Sequence, residues 1–462
     1  MTTTAGEQRR PLAPAARPVH SGSWFATFRH TLDRPLTSYY LLLTASTLLL
    51  AIGLMEVLSA SSVDGFVKHG NSYYWFFRQL TWVFLALPVA FVATRLPHRA
   101  LRALAWPALL LAVVLLALTQ TGLGVEVNGN RNWLALGPVV VQPAEVAKLA
   151  VILWCADVYA RKERLLDDWK HTLIPVAPVM AMVVGLVLLG GDLGTALVLM
   201  AIILGMLWVV GAPARLFVGS MATVGVFALY LASTNQERLD RLTNFADPFK
   251  DYQGAGWQSA HGLFAMSSGG LFGKGIGASQ QKWGSLPEAH TDFIFAVLGE
   301  ELGLVGTVLV LVLFLTIAYA GIRVAVRTKD PFVRYMSAGI TVWLTAQMMI
   351  NVGMVLALLP VIGLPLPLVS YGGSALLPSL VALGLLVSFA RSEPGAKAAL
   401  RARRRRRSAA GVTSSGLASD PQRGVRDGEE QPDHQQGADQ AELLAEHRED
   451  EVGVRALSLI HI

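Results

Sequence analysis

Four polar clusters interrupt an otherwise apolar chain, and their residue types limit the chemistry open to it. The densest is Leu286-Pro-Glu288-Ala-His290-Thr291-Asp292-Phe293, with three titratable groups within five residues. A carboxylate partly withdrawn from water has a raised pKa and suits general-base work near neutral pH. Asp292 is the candidate for that role, with Glu288 and His290 beside it. Two plainer readings stand next to it. Asp292 would simply cap the following helix with help from Thr291, or His290 and Asp292 would share a metal as a two-ligand set. Glu300, eight residues on, is expected on the same helix face as Asp292.

The second cluster runs from Asn128-Gly-Asn-Arg131-Asn-Trp133 to Gln142-Pro-Ala-Glu145-Val-Ala-Lys148. Pro143 fits a first helical turn, and Glu145 and Lys148 then share one face. A helix N-terminus with Arg131 and Lys148 would hold an anion such as a pyrophosphate; the alternative is a Glu145–Lys148 pair that only stabilises its helix. The third, Gly190-Gly-Asp192-Leu-Gly-Thr195, places an acid between two apolar runs, either as an N-cap or as a site residue. The fourth, Pro367-Leu-Val-Ser370-Tyr-Gly-Gly-Ser374, is uncharged and reads as a hydroxyl-capped turn or as part of a site. The glycine-rich run Gly269 to Gly277 lacks the Ser or Thr after Lys274 and the preceding strand of a phosphate loop, so it predicts tight turns instead.

The elements that carry these clusters follow from composition. The chain has 462 residues, 15% of them charged, against about 25% in soluble domains. That excludes a soluble enzyme, and the lone Cys155 excludes an internal disulfide or a cysteine metal site. Runs free of charge, at about 20 residues per crossing, predict an all-α polytopic membrane protein with ten transmembrane helices. They fall near 39–59, 75–94, 103–120, 143–159, 172–190, 193–211, 215–234, 302–323, 333–358 and 373–391. The fourth is short and is expected to be partly re-entrant. Residues 39–391 form the membrane domain between an N-terminal tail (1–38) and a C-terminal tail (392–462) expected to be disordered.

Basic residues gather in alternate connections, so both termini are expected in the cytoplasm. The four clusters then lie on the outer side, with a large extracytoplasmic loop, 235–301, between helices 7 and 8. Its aromatic residues argue for order. Arg401 and Arg403 to Arg407 read as a topology signal and anionic-lipid contact, with no nucleic acid as partner. The apolar Leu457 to Ile462 end is out of character with its tail and carries no functional reading.

These motifs, in order, resemble the SEDS family (FtsW, RodA and SpoVE types) over residues 39–391. The resemblance rests on Arg131-Asn-Trp133, Gln142 to Lys148, Asp192 to Thr195, Leu286 to Phe295 and Ser370 to Ser374. The string Leu286 to Gly303 is closer to the FtsW type. This chain departs from the pattern at Ala144, where the family has Ser, at Gly190-Gly191, where it has Gln-Pro, and at Ala357, where Gly is frequent. The resemblance implies a peptidoglycan glycosyltransferase that polymerises lipid II at the outer face of the cell membrane, at the division septum if FtsW-like. It also implies a class B penicillin-binding protein and other divisome proteins as partners. It carries Asp292 over as the essential acid and Lys148 as its ion-pair partner. Arg131, Trp133, Glu145, Asp192, Glu288, His290 and Ser370 follow as substrate-site candidates. On this reading Asp292 takes a proton from the acceptor sugar, while Arg131 and Lys148 stabilise the leaving pyrophosphate. A divalent metal ion is a candidate cofactor that the sequence does not reveal. The rivals are a transporter of the same lipid, an elongation polymerase of the RodA type, and an inactive scaffold.

Overall fold

The structure, a computed structural model, describes residues 34–402 apart from 128, 138, 167, 234–235, 246, 255, 397 and 400. The expectations for the tail up to residue 33, for Asn128, for Arg403 to Arg407 and for the rest of the C-terminal tail lie outside the described residues. The described residues up to Arg401 fold as one unit.

Apolar runs become helices because a backbone in hydrocarbon must satisfy its own hydrogen bonds. In chain order these are α1 (Thr37–His69), α2 (Tyr74–Ala93), α3 (His98–Thr119), α4 (Pro143–Arg161), α5 (Trp169–Leu173), α6 (Ala177–Leu189), α7 (Leu193–Val210) and α8 (Ala214–Ser233). There follow α9 (Gln236–Asn244), α10 (Trp257–Ser268), α11 (Ile294–Arg327), α12 (Pro331–Val355) and α13 (Gly373–Ala390). Nine helical segments among the described residues are long and apolar enough to cross a membrane, with α5 and α6 forming one of them. Helix α4, the remaining expected span, carries Glu145, Lys148, Asp157 and Arg161.

The polar contacts of the bundle sort to two ends. At one end Arg102 and Arg161 both bond Asp157 at 2.7 Å, His98 meets Asp330, and Arg323 donates to the Arg34 carbonyl. At the other, Gln142 meets Asp192 and His290 packs on Trp75. Helix α4 has its first residue at one end and its last at the other. Its 19 residues rise about 28 Å, comparable to the hydrocarbon thickness. It therefore reaches from one polar end of the bundle to the other. It tolerates charge because α3 and α12 shield it, and Glu145 and Lys148 are wholly buried.

The helical architecture carries two further features. The 120–142 connection folds as a small antiparallel sheet of β1 (Gly124–Val127), β2 (Asn130–Leu136) and β3 (Val139–Val141), in that order. Val125 faces Trp133 and Leu134 faces Val141, a pairing favoured by β-branched residues between tight turns. Secondly, α11 begins at Ile294, inside the expected 235–301 loop, and breaks at Gly303 (φ 68°, ψ −162°). The same loop holds α9 and α10, and its aromatic residues make ring contacts, Trp257 with His261 at 4.3 Å among them.

Candidate active site

The turn before α11 sets the central residue. Glu288, at φ 54°, accepts backbone hydrogen bonds from Thr291 and Phe293, both 3.1 Å, and its carboxylate accepts from the Thr291 hydroxyl at 2.7 Å. Outside groups hold this turn by its carbonyls. Asn351 Nδ2 donates to the Asp292 carbonyl at 2.8 Å, Ser370 Oγ to the Thr291 carbonyl at 2.6 Å, and the Tyr371 amide to the His290 carbonyl at 2.9 Å. His290 is buried between the rings of Trp75 and Tyr371, and burial lowers its pKa, so it is neutral at pH 7.

The Asp292 carboxyl itself has no hydrogen-bond partner among the described residues, and the α11 N-cap position is Phe293. Asp292 is thus not a cap. It is half-buried, and withdrawal from water pushes its pKa up to about 7. The negative charges of Glu288 and Asp192 add to the rise, against the pull of Arg241. Gly363 forms part of the wall beside it: a side chain there would sit 3.4 Å from Asp292 Oδ2.

Asp192 caps α7, accepting from the Thr195 amide and hydroxyl at 2.8 Å each. It also accepts from Gln142 Nε2 at 2.7 Å and Asn132 Nδ2 at 3.3 Å, so the sheet, the α4 start and the α7 start converge on it. The N-cap reading of this acid holds. The adjacent Gly190-Gly191 pair fits tightly under the hairpin, since a side chain at Gly191 would collide with Asn130.

Lys148 does not pair with Asp292. Its ammonium meets Glu145 at 2.8 Å and Gln347 Oε1 at 2.8 Å, and lies 5.3 Å from the Trp343 ring centroid. The expected ion-pair partner of the acid is therefore engaged inside the bundle, where a charge needs a fixed counter-charge. Arg131 is exposed and donates to the Thr121 carbonyl at 3.0 Å. Trp133 is half-buried on β2. No described contact joins either residue to Asp292. Glu300 does not share a face with Asp292 either; its carboxylate is taken up by Lys274, Ser279 and the amides of Gln280 and Gln281. Among the described residues no three His, Cys, Asp or Glu side chains converge as a metal site.

Residues that sequence reasoning passed over complete the arrangement. One face of α12 presents Trp343, Gln347 and Asn351. Gln347 bonds Lys148 and the Pro365 carbonyl; Asn351 bonds the Leu364 and Asp292 carbonyls. Gln79 clasps the Ser370 carbonyl and the Gly372 amide. An apolar cavity of about 490 Å³ between α6, α7 and α8 includes Arg215, at the far end from Asp292, so it does not hold the reacting groups.

The model of the cell cycle protein family that unites FtsW, RodA and SpoVE matches residues 39–394. The chain belongs to this family. It is 40% identical over 392 residues to a probable peptidoglycan glycosyltransferase FtsW of Mycobacterium tuberculosis, covering 84% of this chain and 74% of that one. The stage V sporulation protein E of Bacillus subtilis is 35% identical, over 76% and 96%. Among solved structures, a peptidoglycan synthase complex described as coordinating polymerization and crosslinking contains a chain with TM-score 0.62 and 30% identity, covering 76% of this chain and 97% of that one. The rod shape determining protein RodA of Thermus thermophilus gives 0.56 at 31% identity, over 76% and 96%. One departure from the family pattern now has a geometry. Ala357 sits at φ 53°, a conformation that glycine takes without strain.

Proposed function

We propose that the chain is a peptidoglycan glycosyltransferase, using Asp292 to polymerise lipid II at the outer face of the cell membrane. The observation that carries this is the state of Asp292. The other acids in the site clusters, Glu145, Asp192 and Glu288, bond to side chains or amides, whereas its carboxyl is open and its pKa is pushed up to about 7. Such a group takes a proton and returns it at neutral pH. The names of the relatives supply the class of reaction.

Asp292 accepts the proton of the acceptor sugar hydroxyl as that oxygen bonds to the donor's anomeric carbon. The bond from that carbon to the pyrophosphate oxygen breaks, and undecaprenyl pyrophosphate leaves with the electron pair. Arg241, whose charge already acts on Asp292, and the exposed Arg131 would meet the developing negative charge. Lys148 serves the site from inside, orienting Gln347. The open turn lies at the end assigned to the outside, which fits a lipid-linked precursor presented there. A class B penicillin-binding protein as partner, with other divisome proteins at the septum, fits the kinship with an FtsW and with a chain from a synthase complex.

The test is reconstitution of the purified chain with its transpeptidase partner on lipid II. Wild type makes glycan polymer, and Asp292→Asn binds partner but makes none. A polymer yield unchanged by Asp292→Asn removes the base from the mechanism. A wild-type complex that moves lipid II across vesicles without polymer would make it a transporter. Midcell rather than sidewall fluorescence of a tagged chain separates septal from elongation work.

A further inference from the structure

Glu300 and Glu301 stand close behind the acid turn and are buried, yet the reaction above does not use them. At Gly303 the backbone leaves helical geometry, so Ile294–Leu302 is a short helix of its own, distinct from the long apolar stretch that follows. The glycine-rich loop fills the break. Leu304 and Val305 donate to the carbonyls of Gly270 and Leu271 at 2.9 and 3.1 Å, while Lys274 and Gly275 donate to those of Glu300 and Glu301 at 3.0 Å each. Two open groups on each side of the break are thereby bonded.

The orientation of this short helix depends on what grips its two ends. One end carries Asp292. The other carries Glu301, which accepts from Ser59 Oγ on α1 at 2.6 Å, from Lys282 Nζ at 3.1 Å and from the Gly277 amide at 2.8 Å. Lys282 also donates to Ser59 Oγ at 2.9 Å, closing a triangle whose three members are all buried. A buried ion pair adds little net stability over apolar packing, but a fully bonded one defines a single geometry.

We propose that Ser59, Glu301 and Lys282 are positioning residues for Asp292. They fasten the short helix directly to α1 and so fix the turn that bears the acid. The proposal rests on Asp292 acting as the base. Glu56, one turn before Ser59, is a further buried acid within electrostatic reach of Glu301 and Lys282. Removal of Lys282 would leave the acids there uncompensated, so Ser59 is the milder place to cut.

The experiment compares wild type, Ser59→Ala, Ser59→Thr and Asp292→Asn as full-length chains in complex with the partner. Lipid II polymerisation is followed as a function of pH. Ser59→Ala is expected to lower kcat about tenfold with KM within about twofold of wild type, since small misplacements of a reacting group are costly. Ser59→Thr keeps the hydroxyl and the rate. As water reaches Asp292, the acid limb of the Ser59→Ala profile moves to lower pH. A wild-type rate for Ser59→Ala beside an inactive Asp292→Asn overturns the fastening alone. So does a loss that tracks the amount of folded protein with the limb unmoved. Asp292→Asn polymerising at the wild-type rate would overturn the base itself, and the positioning role with it.

Discussion

At residue scale the site separates acids by what holds them. Asp192 is bound by a helix N-terminus and two amides, while Asp292 is held only through its backbone. A base with a pKa of about 7 is half ionised at neutrality, so polymerisation should fall as pH drops through 7 and level off above about 8. The same shift fixes a sign for stability. Folding raises the acid's pKa above its ordinary value, so the folded state binds its proton more tightly, and stability from this group declines as pH rises through 7. Asp292→Asn should therefore raise the melting temperature at pH 8 more than at pH 5 while abolishing activity; an equal effect at both pH values would contradict the raised pKa. Ala357→Gly should stabilise by up to about 1 kcal/mol, because a left-handed conformation strains a Cβ. Chemical or thermal unfolding in detergent reads this directly. Asp292, Asp192 and Ser370 were legible in the sequence because polar residues among apolar ones need a reason to be there. Gln79, Gln347 and Asn351 were not, since a lone amide within an apolar span carries no sign of its partner.

At the scale of elements, α4 decides between two uses of its charges. Lys148 and Glu145 are three apart on a helix that α3 and α12 enclose, and Gln347 completes their shell. Breaking a buried pair by removing one member costs roughly 3–5 kcal/mol, whereas replacing both by neutral groups is often tolerated. Lys148→Met alone should lose most folded protein, and Lys148→Met with Glu145→Gln should recover it, as judged by monodisperse yield and melting in detergent. A well-folded single variant that merely lacks activity would return Lys148 to the reaction centre. Charge-free runs located the helices because the bilayer demands them. They misjudged the start of α11 for the same reason: Glu300 and Glu301 read as the end of a span, and the residues that neutralise them, Lys274 and Lys282, lie across a loop. The small sheet escaped notice because its strands are short and flanked by polar residues.

At the scale of the molecule, alternation of the helices and the sorting of polar contacts to two ends make one joint statement about sidedness. Arg102, Arg161, Arg323 and Arg334 all make their ion pairs or hydrogen bonds at the end where α1 begins and α13 finishes. Basic residues are retained on the cytoplasmic side, so the proposed orientation puts that end in the cytoplasm and the Asp292 end outside. A polymerase acting on a lipid-linked sugar outside the cell needs this orientation, and a cytoplasmic Asp292 could not perform the proposed reaction. The chain offers an unusually clean assay, because its one cysteine, Cys155, is buried within α4. Cysteines introduced at exposed Phe272, in the glycine-rich loop, and at exposed Arg164, at the opposite end, would be the reactive thiols in an otherwise silent background. Phe272→Cys should label with a membrane-impermeant maleimide in spheroplasts, and Arg164→Cys only after permeabilisation. The reverse pattern would place the acid inside and leave the reaction without its substrate. Labelling of both from outside would show that one of the three segments between them, α5 with α6, α7 or α8, does not cross.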